Sequence, residues 1–207
     1  MRVAIIGASG RTGRATVTHA LAAGLDVVSV VRNPSSAPEG TAVAQADARD
    51  REALAAGIKG AGAVVSCLGH VARDQDPAVL RDGATALVAA MALAGVHRLV
   101  AVSAASAFVA GDDPLSRFVA KPVLERVLRA NNDDTRAMET VIRASGTSWT
   151  LLRPSRLTAG AGRARYRRRL DASVRWHYNT TFDTVGRAAV DAISKPEWAG
   201  HSVFITE

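Results

Sequence analysis

The 207-residue chain contains a single cysteine, Cys67. That excludes an internal disulfide, and with no Cys/His cluster at ligand spacing it leaves no zinc site, so no metal is expected. Long apolar runs are missing too. Nothing approaches the ~18 consecutive apolar residues of a membrane-spanning helix, so no membrane partner is expected. A secretory leader is equally absent from the reading, because Met1-Arg2 is followed by only four apolar residues before Gly7 and no cleavage site follows. These absences point to a reducing, cytoplasmic setting. Aromatic residues make up only 4% of the chain, whereas hydrophobic residues reach 48% and charged residues 22%. Ala, Val and Leu dominate the apolar set, which suits closely packed helices and parallel strands. The balance is that of a folded globular chain rather than a disordered one. At this length one domain, residues 1–207, accounts for the whole, with enough chain to bury a sizeable core.

Acid is in deficit: 26 Lys+Arg face 19 Asp+Glu, a net charge of +7. Such an excess suits nucleic acid, a membrane surface or an anionic small molecule. The densest cluster is Arg163, Arg165, Arg167, Arg168, Arg169 and Arg175. The alternation of Arg163, Arg165, Arg167 and Arg169 suggests one face of an extended ribbon. A solvated edge strand explains it most simply, since charge there discourages pairing with a second sheet. A rim attracting an anionic substrate comes next. Nucleic acid comes last: Tyr166, Trp176 and Tyr178 offer stacking surfaces, but no nucleic-acid-binding pattern accompanies them.

Along the chain, apolar runs alternate with helical patterns. Strands are predicted at Arg2–Ile6, Asp26–Val31, Ala42–Gln45, Ala63–Cys67, Arg98–Val102, Ser148–Leu152 and Ser202–Thr206. Helices are predicted at Arg11–Ala23, Arg49–Lys59, Pro77–Ala94 (stopped by Gly95), Pro122–Ala130, Asp133–Ala144 and Val185–Ile193. In the two late helices Val123, Leu124, Val127 and Leu128 share one face, and Asp133 suits an N-cap. Asn33–Gly40, with two prolines, reads as a surface turn. The β-α-β-α rhythm implies an α/β fold: a doubly wound parallel sheet with right-handed crossovers, that is, a Rossmann fold.

The most informative motif is Gly7-Ala8-Ser9-Gly10-Arg11-Thr12-Gly13. An apolar strand enters it and a helix leaves it. A tight turn there needs unusual backbone angles, and a side chain would block approach of a pyrophosphate. The helix start then offers free N–H groups and a positive dipole end to the phosphates. Enzymes selective for NAD keep an acid about 20 residues beyond the glycines, on the ribose 2′-hydroxyl. Here Arg32 stands nineteen residues after Gly13, and Val30-Val31-Arg32-Asn33 holds no acid. A guanidinium in that place pairs with a 2′-phosphate, with Arg11 as a second cation, so NADP(H) is the expected cofactor. Asp47, just after the third strand, either accepts from the adenine amino group or merely favours the start of the next helix.

These segments, with Val64–Gly69, Ala94–Val100 and Ser145-Gly146-Thr147-Ser148-Trp149-Thr150-Leu151-Leu152-Arg153-Pro154, resemble the atypical short-chain dehydrogenases. Biliverdin-IXβ/flavin reductases and nitrogen-metabolite-repression regulator-like proteins belong to that group. The G-x-x-G-x-x-G spacing is typical of it, and the resemblance is weakest at Arg163–Asn179. It implies an NADPH-binding Rossmann fold with a small C-terminal substrate region, in which Gly7, Ser9, Gly10, Arg11, Thr12 and Gly13 wrap the pyrophosphate and Arg32 holds the 2′-phosphate. Asp47 and Ala48 would flank adenine, Leu68 and Gly69 would line the path to the nicotinamide, and Ser103 would lie beside it.

Two departures qualify the chemistry. Many short-chain dehydrogenases use a Tyr-x-x-x-Lys pair in which lysine lowers the tyrosine pKa. Counting back from Glu139, the slots that relatives give to lysine and tyrosine hold Thr135 and Asn131. The histidine that the flavin-reductase branch carries after the proline is Ser155 here. Hydride transfer to a flavin or another delocalised acceptor needs no strong acid, only placement of donor against acceptor. Ser103 and His70 are the candidate catalytic residues, the first by hydrogen bonding and the second by proton donation; His177 and Tyr178 are more distant candidates. The reading is an NADPH-dependent reductase of a flavin-like, quinone-like or other conjugated small molecule, anionic or aromatic. A non-catalytic NADP(H)-sensing module and a cofactor-retaining isomerase or cyclase stay open beside it.

Overall fold

The computed structural model describes residues 1–70, 78–108, 112–115, 117–118 and 121–207, and the side chains of Lys121 and Leu124 lie outside that description. Strands β1 (Arg2–Ile6), β2 (Asp26–Val31) and β3 (Ala42–Gln45) alternate with helices α1 (Arg11–Ala22) and α2 (Arg51–Ile58). Then come β4 (Ala63–Ser66), α3 (Val79–Ala94), β5 (Arg98–Val102), α4 (Lys121–Ala144) and β6 (Ser148–Pro154). The chain closes with β7 (Arg156–Thr158), β8 (Arg167–Leu170), β9 (Asn179–Thr181), α5 (Phe182–Ile193) and β10 (His201–Thr206).

The main sheet has the order β3-β2-β1-β4-β5-β6-β10-β8, while β7 and β9 form a separate parallel pair. Every pairing in the main sheet is parallel except β10 with β8. Successive crossovers run one way from β1 to β3 and the other way from β4 onward. The order therefore reverses between β1 and β4, and a crevice opens above their carboxyl ends.

Side chains alternate across each strand and build two cores. In β1, Val3 and Ile5 pack against Val17 and Ala20 of α1 and Val185, Ala188 and Ala189 of α5. Ala4 and Ile6 face the other way, toward Leu54 and Ile58 of α2, Leu87 and Met91 of α3, and Met138 and Ile142 of α4. Burial on both faces explains why the central strands read as continuous apolar runs. The α1 and α5 helices approach very closely: a Cβ on Gly186 would sit 2.5 Å from the Ala15 carbonyl carbon.

Helix ends follow local chemistry. Asp50 caps α2 by accepting from the Ala53 N–H, and Thr181 caps α5 by accepting from Thr184. That cap starts α5 three residues ahead of the predicted Val185. Gly95 ends α3 in the left-handed region at φ 68°. The predicted start of α3 at Pro77 lies outside the described residues.

The two late helices of the sequence reading are one. α4 runs through Asp133, which is therefore no N-cap, and bends where Leu128 adopts φ −109°, ψ 19°. No glycine or proline interrupts residues 123–144. Asn132, the residue best suited to break the helix, is held instead: its Nδ2 donates to Glu125 and its Oδ1 accepts from Ser106. Asp133 spends its carboxylate on Arg136 at 2.8 Å. Val123 and Val127 of the expected apolar face are exposed.

Of the expected arginine ribbon only Arg167–Leu170 forms a strand, β8, an exposed edge strand paired antiparallel with β10, while Arg163 and Arg165 precede it in irregular backbone. Arg168 lies over the Trp198 ring, and Arg169 donates to the Ser173 carbonyl. β6 continues two residues past the predicted end, through Arg153 to Pro154, because Pro154 pairs with Ile205 of β10.

Candidate cofactor cleft and adjoining cavity

The turn from β1 to α1 is built by two glycines with different tasks. Gly7 takes φ 73°, which reverses the chain and lets its N–H reach the Val30 carbonyl. Gly13 sits beneath the turn, where a Cβ would fall 2.1 Å from the Gly7 carbonyl oxygen. Gly10 is the N-cap of α1, with no side chain bonded to the cap and no acid in the first turn. The first N–H groups of the helix and its positive end thus face an open approach, a fit for a diphosphate.

Over this turn lies a cleft of about 230 Å³ at the carboxyl ends of β1, β2, β3 and β4. Gly7, Ser9, Gly10, Arg32, Asp47, Ala48, Leu68 and Gly69 all border it, so most of the predicted cofactor residues converge. Arg32 is exposed at the end of β2, while Asp47 uses one carboxylate oxygen to accept from the Arg49 N–H at 2.9 Å. Arg11 and Thr12 are not on the cleft wall. The Arg11 guanidinium lies 4.3 Å from the centre of the Phe182 ring.

Three residues without an assigned role in the sequence reading also shape the cleft. Arg49 and Cys67 are on its wall. Desolvation pushes the Cys67 thiol up to about 11, against the opposing Thr16 hydroxyl, so it stays neutral at physiological pH. Arg14 donates from Nε to the Ser9 carbonyl at 3.0 Å and from Nη2 to the Ser36 carbonyl at 2.9 Å. It thereby ties the glycine turn to the loop that follows Arg32. No spacing rule marks an arginine for that task.

Ser103 stands at the end of β5, its N–H bonded to the Leu152 carbonyl at 2.7 Å. Its hydroxyl donates to Glu139 Oε1 at 2.6 Å. Glu139 is 2% exposed and also accepts from Arg153, through Nε at 2.9 Å and through the second nitrogen on Oε2, and from Arg143 at 3.1 Å. Arg153 is itself buried, packed on the Phe108 and Phe204 rings. Ser-Gly-x-x-Trp-Thr-x-x-Arg-Pro therefore delivers a buried arginine to a helix glutamate.

His70 does not join the cleft wall. Its Nε2 lies 3.5 Å from Asp134 Oδ2, and Asp134 in turn accepts from the Leu80 and Arg81 N–H groups at the start of α3. In the slots of the Tyr-x-x-x-Lys pair, Thr135 is buried and donates to the Asn131 carbonyl at 2.7 Å.

A second recess of about 460 Å³ opens at the carboxyl ends of β5, β6 and β10. Ala104, Ala105, Leu128, Pro154, Leu157 and Phe204 give it apolar walls, and Arg156, His177 and Tyr178 bring polar groups to it. Among the described residues no grouping of His, Cys, Asp and Glu is placed to hold a metal ion, and no helix is long and apolar enough to cross a membrane.

Comparison with known proteins adds the following. A protein family described as NAD(P)H-binding matches residues 7–196. A 3-diazoavenalumate denitrifying reductase of a Streptomyces species is 42% identical over 118 residues, covering 52% of this chain and 39% of that protein. Curated relatives are much longer than the matched segment, which covers only 12% of an uncharacterised Mycobacterium tuberculosis protein. Two solved structures share the fold over 100% of this chain. An anaerobillin reductase of Escherichia coli O157:H7 has TM-score 0.80 at 20% identity, with 97% of that chain covered. A wide-type short-chain dehydrogenase/reductase of Veillonella parvula in complex with NADP has TM-score 0.82 at 15% identity, with 94% covered.

Proposed function

The chain belongs to the NAD(P)H-binding family, and from that premise we propose that it is an NADPH-dependent reductase of a conjugated small molecule. The observation that carries the reading is a pair of recesses along one sheet edge. The first joins the glycine turn to Arg32 above β1, β2 and β4, and the second is an apolar cavity above β5, β6 and β10. A phosphorylated dinucleotide fits the first, and a flat, largely apolar acceptor fits the second. The Streptomyces relative is named a reductase, which agrees with this direction.

The bound dinucleotide would supply a hydride. The chain does the rest. The α1 N-terminus and the glycine turn hold the diphosphate. Arg32 pairs with the 2′-phosphate, and the free oxygen of Asp47 accepts from the adenine amino group. Leu68 and Gly69 would border the path to the nicotinamide, while Ser103, at the end of β5, lines neither recess. Because Ser103 gives its proton to Glu139, its oxygen is left to accept: it suits anchoring an amide N–H better than donating a proton. The apolar walls would give a conjugated ring a surface to pack on.

A second reading, an NADP(H) sensor without turnover, is favoured by one observation. Thr135 and Ser103 have both committed their hydrogens to protein acceptors. Turnover separates the two readings. The purified protein is titrated with NADPH and NADH by nucleotide fluorescence, then supplied with FMN or menadione. NADPH is expected to bind more tightly, and its absorbance to fall steadily with an acceptor. Arg32→Ala should weaken NADPH by about 10- to 100-fold, the range of one charge-assisted hydrogen bond, and leave NADH unchanged. Equal loss for both nucleotides would remove Arg32 from the 2′-phosphate. Tight NADPH binding with no oxidation by either acceptor would favour the sensor.

A further inference from the structure

Reduction of a conjugated acceptor needs a proton as well as a hydride. The acceptor's carbon or ring nitrogen gains the hydride, and charge collects on a heteroatom elsewhere in the same π-system. A proton donor therefore belongs where that heteroatom rests, away from the dinucleotide. We propose that this donor is His177, on the segment between β8 and β9 that walls the second cavity, and that the acceptor carries a carbonyl oxygen or imine-type nitrogen aimed at it. The inference rests on the reductase reading above.

His177 is oriented by the backbone. Its Nδ1 lies 2.8 Å from the Arg175 carbonyl oxygen. A carbonyl only accepts, so Nδ1 carries hydrogen and Nε2 is the nitrogen that exchanges a proton. Nε2 has no partner among the described residues, and His177 borders the cavity. Three other hydroxyls there are already committed. Ser106 donates to Asn132, Ser155 to the His177 carbonyl, and Tyr178 to Asp113. The segment carrying His177 is fixed at both sides: the Arg156 N–H reaches the Tyr178 carbonyl, and Asp113 accepts from the Trp176 N–H.

A second feature of the same segment points to a ligand. Ser173 is among the residues that border the cavity, and its Oγ is buried with no hydrogen-bond partner among the described residues. Buried polar atoms rarely stay unsatisfied. A polar atom of the acceptor would meet that hydroxyl while its basic atom meets His177. The ionisable groups that border the same cavity are Asp112, Asp113, Arg156 and Tyr178.

The step balances as follows. The acceptor takes a hydride from the dihydronicotinamide carbon, gaining two electrons, and NADPH becomes NADP⁺. The Nε2–H bond of the imidazolium breaks, and an O–H or N–H bond forms on the acceptor. Solvent then returns one proton to His177. The sum is NADPH, acceptor and H⁺ going to NADP⁺ and the dihydro-acceptor.

The test compares wild type with His177→Gln, which keeps a hydrogen-bond donor but has no proton to release near neutral pH. The probes are FMN and menadione, with kcat and KM followed from pH 5 to 9. His177→Gln is expected to lose about 10²-fold in kcat with KM little changed, and to flatten the pH dependence of the rate that a histidine donor should give wild type. NADPH affinity by fluorescence should be the same in both, which also establishes that the variant folds. Ser173→Ala should raise KM several-fold and leave kcat alone. Wild-type turnover with an unchanged rate and pH profile in His177→Gln overturns the assignment of the donor and leaves the reductase reading intact. Absence of turnover by wild type with NADPH bound overturns the reductase reading, and this inference with it.

Discussion

Gly13→Ala is expected to destroy NADPH binding, raising Kd by two orders of magnitude or about 3 kcal/mol. The new Cβ would lie 2.1 Å from the Gly7 carbonyl oxygen and 2.7 Å from the Ala8 Cα, both backbone atoms that no rotamer can move aside. The Gly7 carbonyl also accepts the Gly10 N–H at 3.0 Å, so displacing it opens the turn. Gly10→Ala provides the contrast. Its Cβ would meet the same oxygen at an ordinary 3.4 Å, and Gly10 has φ −73°, so the fold should survive with only the cost of about 1 kcal/mol that alanine carries at an N-cap. Yet the added methyl stands at the helix N-terminus, where the diphosphate must approach. The expected pair of results is a destabilised non-binder for Gly13→Ala and a stable non-binder for Gly10→Ala. Urea midpoints and nucleotide fluorescence read both. NADPH affinity retained in Gly10→Ala would show that phosphates do not seat against the α1 N-terminus.

Glu139→Ala is expected to cost about 3–5 kcal/mol of stability, the usual result of leaving one member of a buried ion pair alone. The Arg153 guanidinium, 5% exposed, would lose its acceptors while fixed between β6 and the Phe108 ring. The Ser103 hydroxyl would lose its acceptor as well. Such a loss is a large fraction of the stability of a single domain. Replacing both partners by apolar residues, Glu139→Leu with Arg153→Met, should recover most of it, because neither charge is then stranded. Urea unfolding with an unchanged slope measures both variants. A shift below about 1 kcal/mol for Glu139→Ala would mean that water reaches Arg153 and that the ion pair is not what orders this end of β6.

Local rules made the first two thirds of the chain readable. β1, β2, β3 and β5 have the predicted boundaries: β1, β2 and β5 are buried parallel strands that leave continuous apolar runs, and β3, an exposed edge strand, is a short run set off from the glycine- and proline-rich turn before it. The glycine turn and Arg32 were readable for the same reason: their task is fixed by backbone geometry and by distance along one β-α-β unit. What escaped depends on contacts far apart in sequence. α4 continues through Asp133 because Asn132 finds Glu125 and Ser106, the latter 26 residues away. Ser103 is turned toward Glu139, 36 residues on, and His70 sits near Asp134. Neither placement follows from spacing. β7 and β9 are three residues each and too short to show a period. The cavity wall is assembled from such pieces, so its polar groups emerged only from the fold.

The Arg14 tie between the Ser9 and Ser36 carbonyls has a kinetic and entropic side. It means that the two banks of the nucleotide groove are moored to each other before any guest arrives. The freedom of the Pro34–Ser36 bend is surrendered once, when the chain folds, and not again at each encounter. Association should then resemble docking into a rigid berth, with little ordering entropy to oppose it, and the release of spent nucleotide should not have to wait for that bend to unlatch.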